Sequence, residues 1–205
     1  VTAAAAPRLE SGPALILASG SPRRVELLTQ IGFAPDATAV PNIDESRLPG
    51  ELPRDLAKRL AREKATAAVA EAPNDYVLAA DTVVARGRRV LPKAETEDQA
   101  RACLVLLSGA AHRVTTAVAA YAPNGRLAER AVETRVRFKR LSEAEVDDYI
   151  ASGEWSGKAG GYAIQGRAGR FVVALQGSYS AVVGLPLYET VSLLEGLGYR
   201  SQRHE

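Results

Sequence analysis

Cysteine occurs once, at Cys103, so no intramolecular disulfide can form, and a free thiol fits a reducing compartment. Its helical spacing with Ala100, Leu104 and Leu107 makes it a core residue. Histidine occurs only at His112 and His204, far apart in the chain, which argues against a His/Cys zinc site. No apolar run approaches the roughly 20 residues of a membrane span. The Ala3 to Ala6 run is too short for the apolar part of a signal peptide, and no basic stretch precedes it. The formal net charge is only +2 and there is no basic stripe, which argues against a dedicated nucleic-acid binder. A small anionic ligand remains open, because a few local Lys and Arg residues suffice for it. Two phosphate-binding motifs are also missing. Three residues, not four, separate Gly153 from Gly157-Lys158, and Ala159 stands where a P-loop needs Ser or Thr. No G-x-G-x-x-G follows a strand, so a Rossmann site is not indicated.

What is present suits a globular enzyme. The chain has 205 residues, 46% of them hydrophobic, enough for one larger or two-lobed domain. Residues 1–13 are expected as a flexible tail, and 14–205 as one domain. Ala14 to Ala18 reads as a buried strand. Ser21 then Pro22 reads as a helix cap followed by proline in the first turn, with Val25, Leu28 and Ile31 on one face and Gly32 as the stop. A second helix is predicted over 53–71, with Leu56, Leu60, Ala67 and Ala68 inward, followed by a turn at Pro73 to Asp75. Tyr76 to Val84 reads as a strand, and Val84 to Leu91 as a hairpin. Thr96 with Gln99 and Ser142 with Glu145 read as capping boxes opening helices that run to about Gly109 and Ala151. Strands are predicted near 113–121, 128–138 and 171–175, the first two joined by a turn at Pro123 to Gly125, and a last helix near 187–197. This alternation implies an α/β fold with a mixed β-sheet and flanking helices.

Three segments look like chemistry. In Ser19-Gly20-Ser21-Pro22-Arg23-Arg24, two arginines sit in the first turn of a helix, where positive charge opposes the helix dipole. They are either a solvated pair or the two sides of an anion site built with backbone N–H groups and serines. Asp81 interrupts the apolar strand Tyr76 to Val84, where an unpaired carboxylate costs several kcal/mol on desolvation. It is either a turn cap at the strand end or a functional carboxylate compensated by a metal, a lysine or a polar cleft. The run from Gly157 to Gly166 holds enough glycine for backbone to approach a ligand closely, or else forms an irregular hairpin. Lys64, Lys93 and the Asp44-Glu45 pair are each ordinary surface charges when taken singly.

Taken together, these segments resemble the Maf family of nucleoside triphosphate pyrophosphatases, also called septum-formation proteins. The resemblance spans Leu15 to Tyr199. It rests on Ala18-Ser19-Gly20-Ser21-Pro22-Arg23-Arg24, Leu60-Ala61-Arg62-Glu63-Lys64-Ala65 and Ala80-Asp81-Thr82-Val83-Val84. Lys93, Leu107-Ser108-Gly109 with His112, Gly157 to Gly166 and Val183-Gly184-Leu185-Pro186-Leu187 complete it. Leu91-Pro92-Lys93-Ala94 departs from the family's usual Leu-Gly-Lys-Pro, which leaves the placement of Lys93 open. The resemblance implies an elongated, two-lobed, ITPase-like architecture with a central cleft, often a homodimer; a cytoplasmic location is expected from the free thiol. Ala163-Ile164-Gln165-Gly166 resembles the branch that prefers dTTP and UTP.

By that resemblance Asp81 is the proton acceptor, and Arg23, Thr82 and Gln165 bear on substrate choice. Arg23, Arg24, Lys64 and Lys93, with Ser19 and Ser21, are expected to bind the nucleoside triphosphate. A divalent cation is expected on Asp81 and Glu45, Mg²⁺ first, with Mn²⁺ or Co²⁺ as alternatives. Neither a membrane nor a stable nucleic-acid partner is expected. Two other readings stay open: a pyrophosphatase for another nucleotide, such as a modified purine triphosphate, and a nucleotide- or nucleic-acid-binding regulator of cell division.

Overall fold

Three strands of eleven or twelve residues carry the protein, and their alternation decides which side chain meets which layer. They are β3 (Tyr76–Arg86), β6 (Ala111–Tyr121) and β7 (Leu127–Phe138), paired antiparallel in sequence. The computed structural model describes residues 12–201, so His204 and nearly all of the expected tail lie outside the described residues. On one edge of β3 lies β1 (Leu15–Ala18), parallel to it, and beyond β1 lies β2 (Ala37–Ala39). At the opposite edge β9 (Val172–Gln176) pairs with β7, giving the order β2-β1-β3-β6-β7-β9. Short β4 (Arg89–Leu91) folds back on the end of β3. A separate ribbon joins β5 (Lys93–Ala94) to β8 (Lys158–Ala159). The fold is α/β with a mixed sheet, as the pattern predicts.

Helices cover both faces. α2 (Pro53–Glu71) packs Leu56, Ala57, Leu60, Ala61, Ala65 and Ala68 on Val77, Ala79 and Val83 of β3 and on Ala117 and Ala119 of β6. So many alanines let the helix lie close to the strands. Ala67 is only half-buried, and Ala65 takes the inward place expected for it. On the other face Leu78, Ala80, Val118 and Ala120 meet Leu28 of α1 (Pro22–Gln30) and Leu193 and Leu194 of α6 (Leu187–Gly196). Beyond the far ends of the long strands a second core gathers α3 (Glu97–Leu107), α4 (Glu143–Ala151) and a 3₁₀ turn (Arg167–Phe171) around Phe138, Tyr149 and Phe171. Cys103 is buried there, as its spacing predicts. A one-turn helix, α5 (Tyr179–Val183), lies between the two cores. Among the described residues no helix is long and apolar enough to cross a membrane.

Local signals hold with two exceptions. Ser142 and Glu145 form the full reciprocal box of α4. Thr96 caps α3 through the Gln99 N–H, but the Gln99 side chain accepts from Glu95 N–H, one residue before the cap, so the box is half-formed. Ser21 stands at the N-cap of α1 but makes no side-chain capping bond: the Arg24 N–H that its hydroxyl would cap donates instead to the Ser21 carbonyl at 3.1 Å, and Ser21 lines the cleft.

Candidate active site

The cleft lies where β1 stops. β1 accompanies β3 only to Ala79, and β4 takes up the same edge at Val84, leaving Ala80 to Val83 without a neighbour on that side. A crevice outside the carboxyl end of a parallel strand is the general ligand position in α/β sheets. Alternation along β3 turns Asp81 toward α2 and Thr82 toward the opposite face, so consecutive side chains enter the gap from both faces of the sheet. The cavity measures about 430 Å³, and Ser19, Ser21, Arg23, Arg24, Glu45, Lys64, Asp81, Thr82, Lys93 and Gln165 all line it.

One wall is charged. Lys64 emerges from the alanine face of α2 with 8% exposure and faces Asp81, 3% exposed. Its Nζ lies 2.6 Å from Asp81 Oδ1 and 2.7 Å from Glu45 Oε1. Removing one partner of such a buried pair typically costs 3–5 kcal/mol, about 4. Lys93 bonds the other oxygen of Glu45, from β5. Burial pushes the Glu45 carboxyl up, but its bonds to Lys64 and Lys93 outweigh this and hold it at about 2. The segment bearing Glu45 is moored to α2, since Arg59 donates to the Glu51 carboxylate at 2.7 Å and to Ser46 O at 2.8 Å. Asp81 Oδ2 has no bonding partner among the described residues.

The arginine pair divides. Arg24 donates to Gly184 O at 2.8 Å, Ser19 Oγ at 2.9 Å and Thr82 Oγ1 at 3.3 Å, tying together α1, the end of α5 and β3. It is engaged by protein through each of its three nitrogens and still lines the cleft. Burial lowers its pKa, opposed by the charge of Asp81. Arg23 makes no hydrogen bond or ion pair among the described residues, and burial lowers its pKa too. It is the arginine of the pair left for an anion. Ser19 Oγ accepts from both Arg24 and the Ser21 N–H, so its own proton is left to donate into the cleft.

The facing wall is glycine-rich and is held by buried contacts. Gly160 and Gly161 both have φ of 68°. A Cβ on Gly160 would lie 2.8 Å from Val84 Cγ1, and one on Gly161 3.1 Å from the Ala100 backbone. Tyr162 OH meets His112 Nε2 at 2.8 Å, and Ala163 N–H donates to Tyr149 OH at 3.1 Å. Arg167 N–H donates to Glu154 Oε2 at 2.7 Å. Burial lowers the His112 pKa to about 4 and raises that of the Tyr162 phenol. Gln165 stands exposed between these anchors, on the rim of the cleft.

Residues 14–197 match the family model described as Maf-like protein. The chain belongs to the Maf-like family. It is 62% identical over 192 residues to the dTTP/UTP pyrophosphatase of Caulobacter vibrioides, covering 94% of this chain and 100% of that one. It is 64% identical over 187 residues to the dTTP/UTP pyrophosphatase of Maricaulis maris, covering 91% and 89%. Among solved structures the Ham1 protein of Staphylococcus aureus is similar at a TM-score of 0.48 and 14% identity, covering 89% of this chain and 98% of that one.

This Maf-like cleft also contains residues that sequence reasoning passed over. Lys158 lines it from β8 and donates to Ser156 O at 2.8 Å. Its pKa is lowered by burial and by the nearby charge of Arg23. Its signal is a lysine inside a glycine run, where the glycines draw attention to the backbone rather than to the charge. Thr116 is fully buried behind Thr82, and nothing in its local sequence marks it.

Proposed function

We propose that this chain hydrolyses dTTP and UTP to the nucleoside monophosphate and pyrophosphate at the β1–β3 gap. The observation that carries this is a carboxylate with one free oxygen, Asp81, in a cleft lined by five basic side chains: Arg23, Arg24, Lys64, Lys93 and Lys158. The names of relatives about 60% identical over nearly the whole chain support the substrate class. A cytoplasmic location is supported by the single free thiol. One catalytic unit is supported by long strands common to both cores, and a homodimer by the family resemblance.

Water attacks the α-phosphorus and gives its proton to Asp81 Oδ2, while Lys64 holds Oδ1. The bond from the α-phosphorus to the bridging oxygen breaks, and that oxygen leaves with pyrophosphate. Arg23, Lys93 and Lys158 offset the charge on the phosphate oxygens, and Ser19 donates to one of them. Arg24 aligns Ser19 and Thr82 rather than binding phosphate. Gln165 offers its amide N–H to O4 of uracil or thymine.

No group of three or more His, Cys, Asp or Glu side chains suited to a metal occurs among the described residues. Asp81 and Glu45 nevertheless fit a hard divalent cation, because their oxygens already converge on one positive charge, Lys64 Nζ. Mg²⁺ is commonly held by one or two carboxylates plus phosphates. When bound, Mg²⁺, or Mn²⁺ or Co²⁺ in its place, supplies charge neutralisation to the phosphates.

Pyrophosphate release from a panel of nucleoside triphosphates, with and without Mg²⁺, tests the reading. Asp81→Asn lowers kcat by about 10²–10⁴-fold, the usual worth of a positioned base. A variant that keeps most of its kcat overturns the assignment of Asp81. A folded wild type that turns over no nucleotide shifts the reading to a binding regulator.

A further inference from the structure

Hydroxyl protons in the floor of the cleft can be placed by counting. Thr116 Oγ1 lies 2.6 Å from Ala181 O, a carbonyl that can only accept, so the one Thr116 proton goes there. Thr116 Oγ1 also lies 2.9 Å from Thr82 Oγ1. With its own proton committed, Thr116 can only accept in that bond, so Thr82 is the donor. Arg24 then donates to Thr82 Oγ1 at 3.3 Å, filling one of its two lone pairs. The result is a one-way chain, Arg24 to Thr82 to Thr116 to Ala181 O. The Thr82 oxygen is left with one lone pair and no proton. Thr82 is half-buried and lines the cleft, whereas Thr116 is 0% exposed, directly opposite it in the β3–β6 register.

We propose that Thr116 is a positioning residue that holds the Thr82 hydroxyl as an acceptor, so that the cleft selects nucleobases presenting a ring N–H. The proposal rests on the pyrophosphatase reading and deepens it. Uracil and thymine carry N3–H and can donate to that lone pair. Cytosine carries a bare N3, so the two acceptors would face each other and both would go unsatisfied. An amide such as Gln165 can flip to suit either base, but this hydroxyl cannot reverse while Thr116 is spoken for by Ala181 O. Leaving a buried polar group unpaired is what allows a site to reject a near-isosteric ligand strongly.

The test compares kcat/KM for UTP and CTP in wild type, Thr116→Val and Thr116→Ser. Valine keeps the volume but removes the acceptor, so the Thr82 proton is free to turn toward cytosine N3. The UTP-over-CTP preference then falls by roughly 10- to 100-fold, partly through a gain on CTP, which loss of packing alone does not produce. Serine restores the chain and the preference. If Thr116→Val does not fold, N3-methyl-UTP supplies the second measurement: wild type rejects it relative to UTP, and Thr82→Val no longer distinguishes the two. An unchanged preference in folded Thr116→Val, or an N3-methyl penalty that persists in Thr82→Val, overturns the proposal and leaves the pyrophosphatase reading standing. Absence of turnover of any nucleotide by wild type overturns both.

Discussion

The wall built from α2, β3 and the segment around Glu45 is held by charge, whereas the wall built from residues 156–167 is held by backbone and buried rings. On the first, Lys64 and Lys93 share Glu45, and Lys64 also holds Asp81. On the second, a glycine packs on Val84, a glycine packs on α3, and Tyr162 and Ala163 are bonded to buried His112 and Tyr149. The difference teaches a division of labour. Ion pairs at a half-open site can be exchanged for phosphate oxygens without large reorganisation. Contacts to glycine and to buried rings have no such substitute, so that wall presents Gln165 in one place.

Gly160→Ala puts the largest strain on this contrast. The new Cβ would lie 2.8 Å from Val84 Cγ1, at a φ of 68° that disfavours L residues. Overpacking and the positive φ together destabilise by about 2–5 kcal/mol. Gly157→Ala is the internal control, since its φ is 65° but nothing lies within 4 Å of its Cβ. It loses only about 1 kcal/mol, the conformational part. Thermal unfolding of the two variants isolates the packing of the glycine wall on β3. Equal shifts would mean that Gly160 does not clamp the wall.

The same contrast explains what could be read from the chain beforehand. The charged wall was legible because charges are conspicuous where they do not belong: Asp81 in an apolar strand, two arginines at a helix start. The long elements were legible from periodicity, and α2 spans the range its pattern predicts, Pro53–Glu71. The β5–β8 ribbon was not, because two-residue strands carry no period and form only when residues 64 and 66 positions apart meet. α5 was missed for the same reason, being five residues long. Arg24 and Arg23 are neighbours of one type, and only three-dimensional partners reveal that one is a strut and the other has no bonding partner among the described residues. Thr116 carries no local signal at all, since its importance comes from a carbonyl 65 residues away.

His112 gives the glycine wall a pH signature of intermediate size. Its folded pKa of about 4 lies below an ordinary value of 6.5 because burial disfavours the imidazolium. Between those values the unfolded chain binds the proton and the folded chain does not. Stability is therefore full above about pH 6.5 and declines as pH falls toward about 4, by on the order of 3 kcal/mol. Chemical denaturation of wild type and His112→Gln across this range measures it, the difference between them cancelling the carboxylates. A difference that stays flat with pH would mean that His112 is charged or solvated in the fold, and the anchor on Tyr162 would lose its support.

Glu45 supplies the smallest effect and the most direct comparison with the other wall. Its folded pKa of about 2 lies below the ordinary 4.5, so its contribution is present above about pH 4.5 and lost as pH falls toward 2. The side chain is 39% exposed, and solvent screening of such a pair keeps the contribution below about 1 kcal/mol. Glu45→Gln should thus shift Tm by less than about 4 °C at pH 7, with the difference vanishing as pH falls through about 2. The opposite result, a loss as large as that for Gly160→Ala, would make the charged wall as rigid as the glycine wall. Glu45 would then be a structural brace between Lys64 and Lys93 rather than a counter-ion that phosphate can replace.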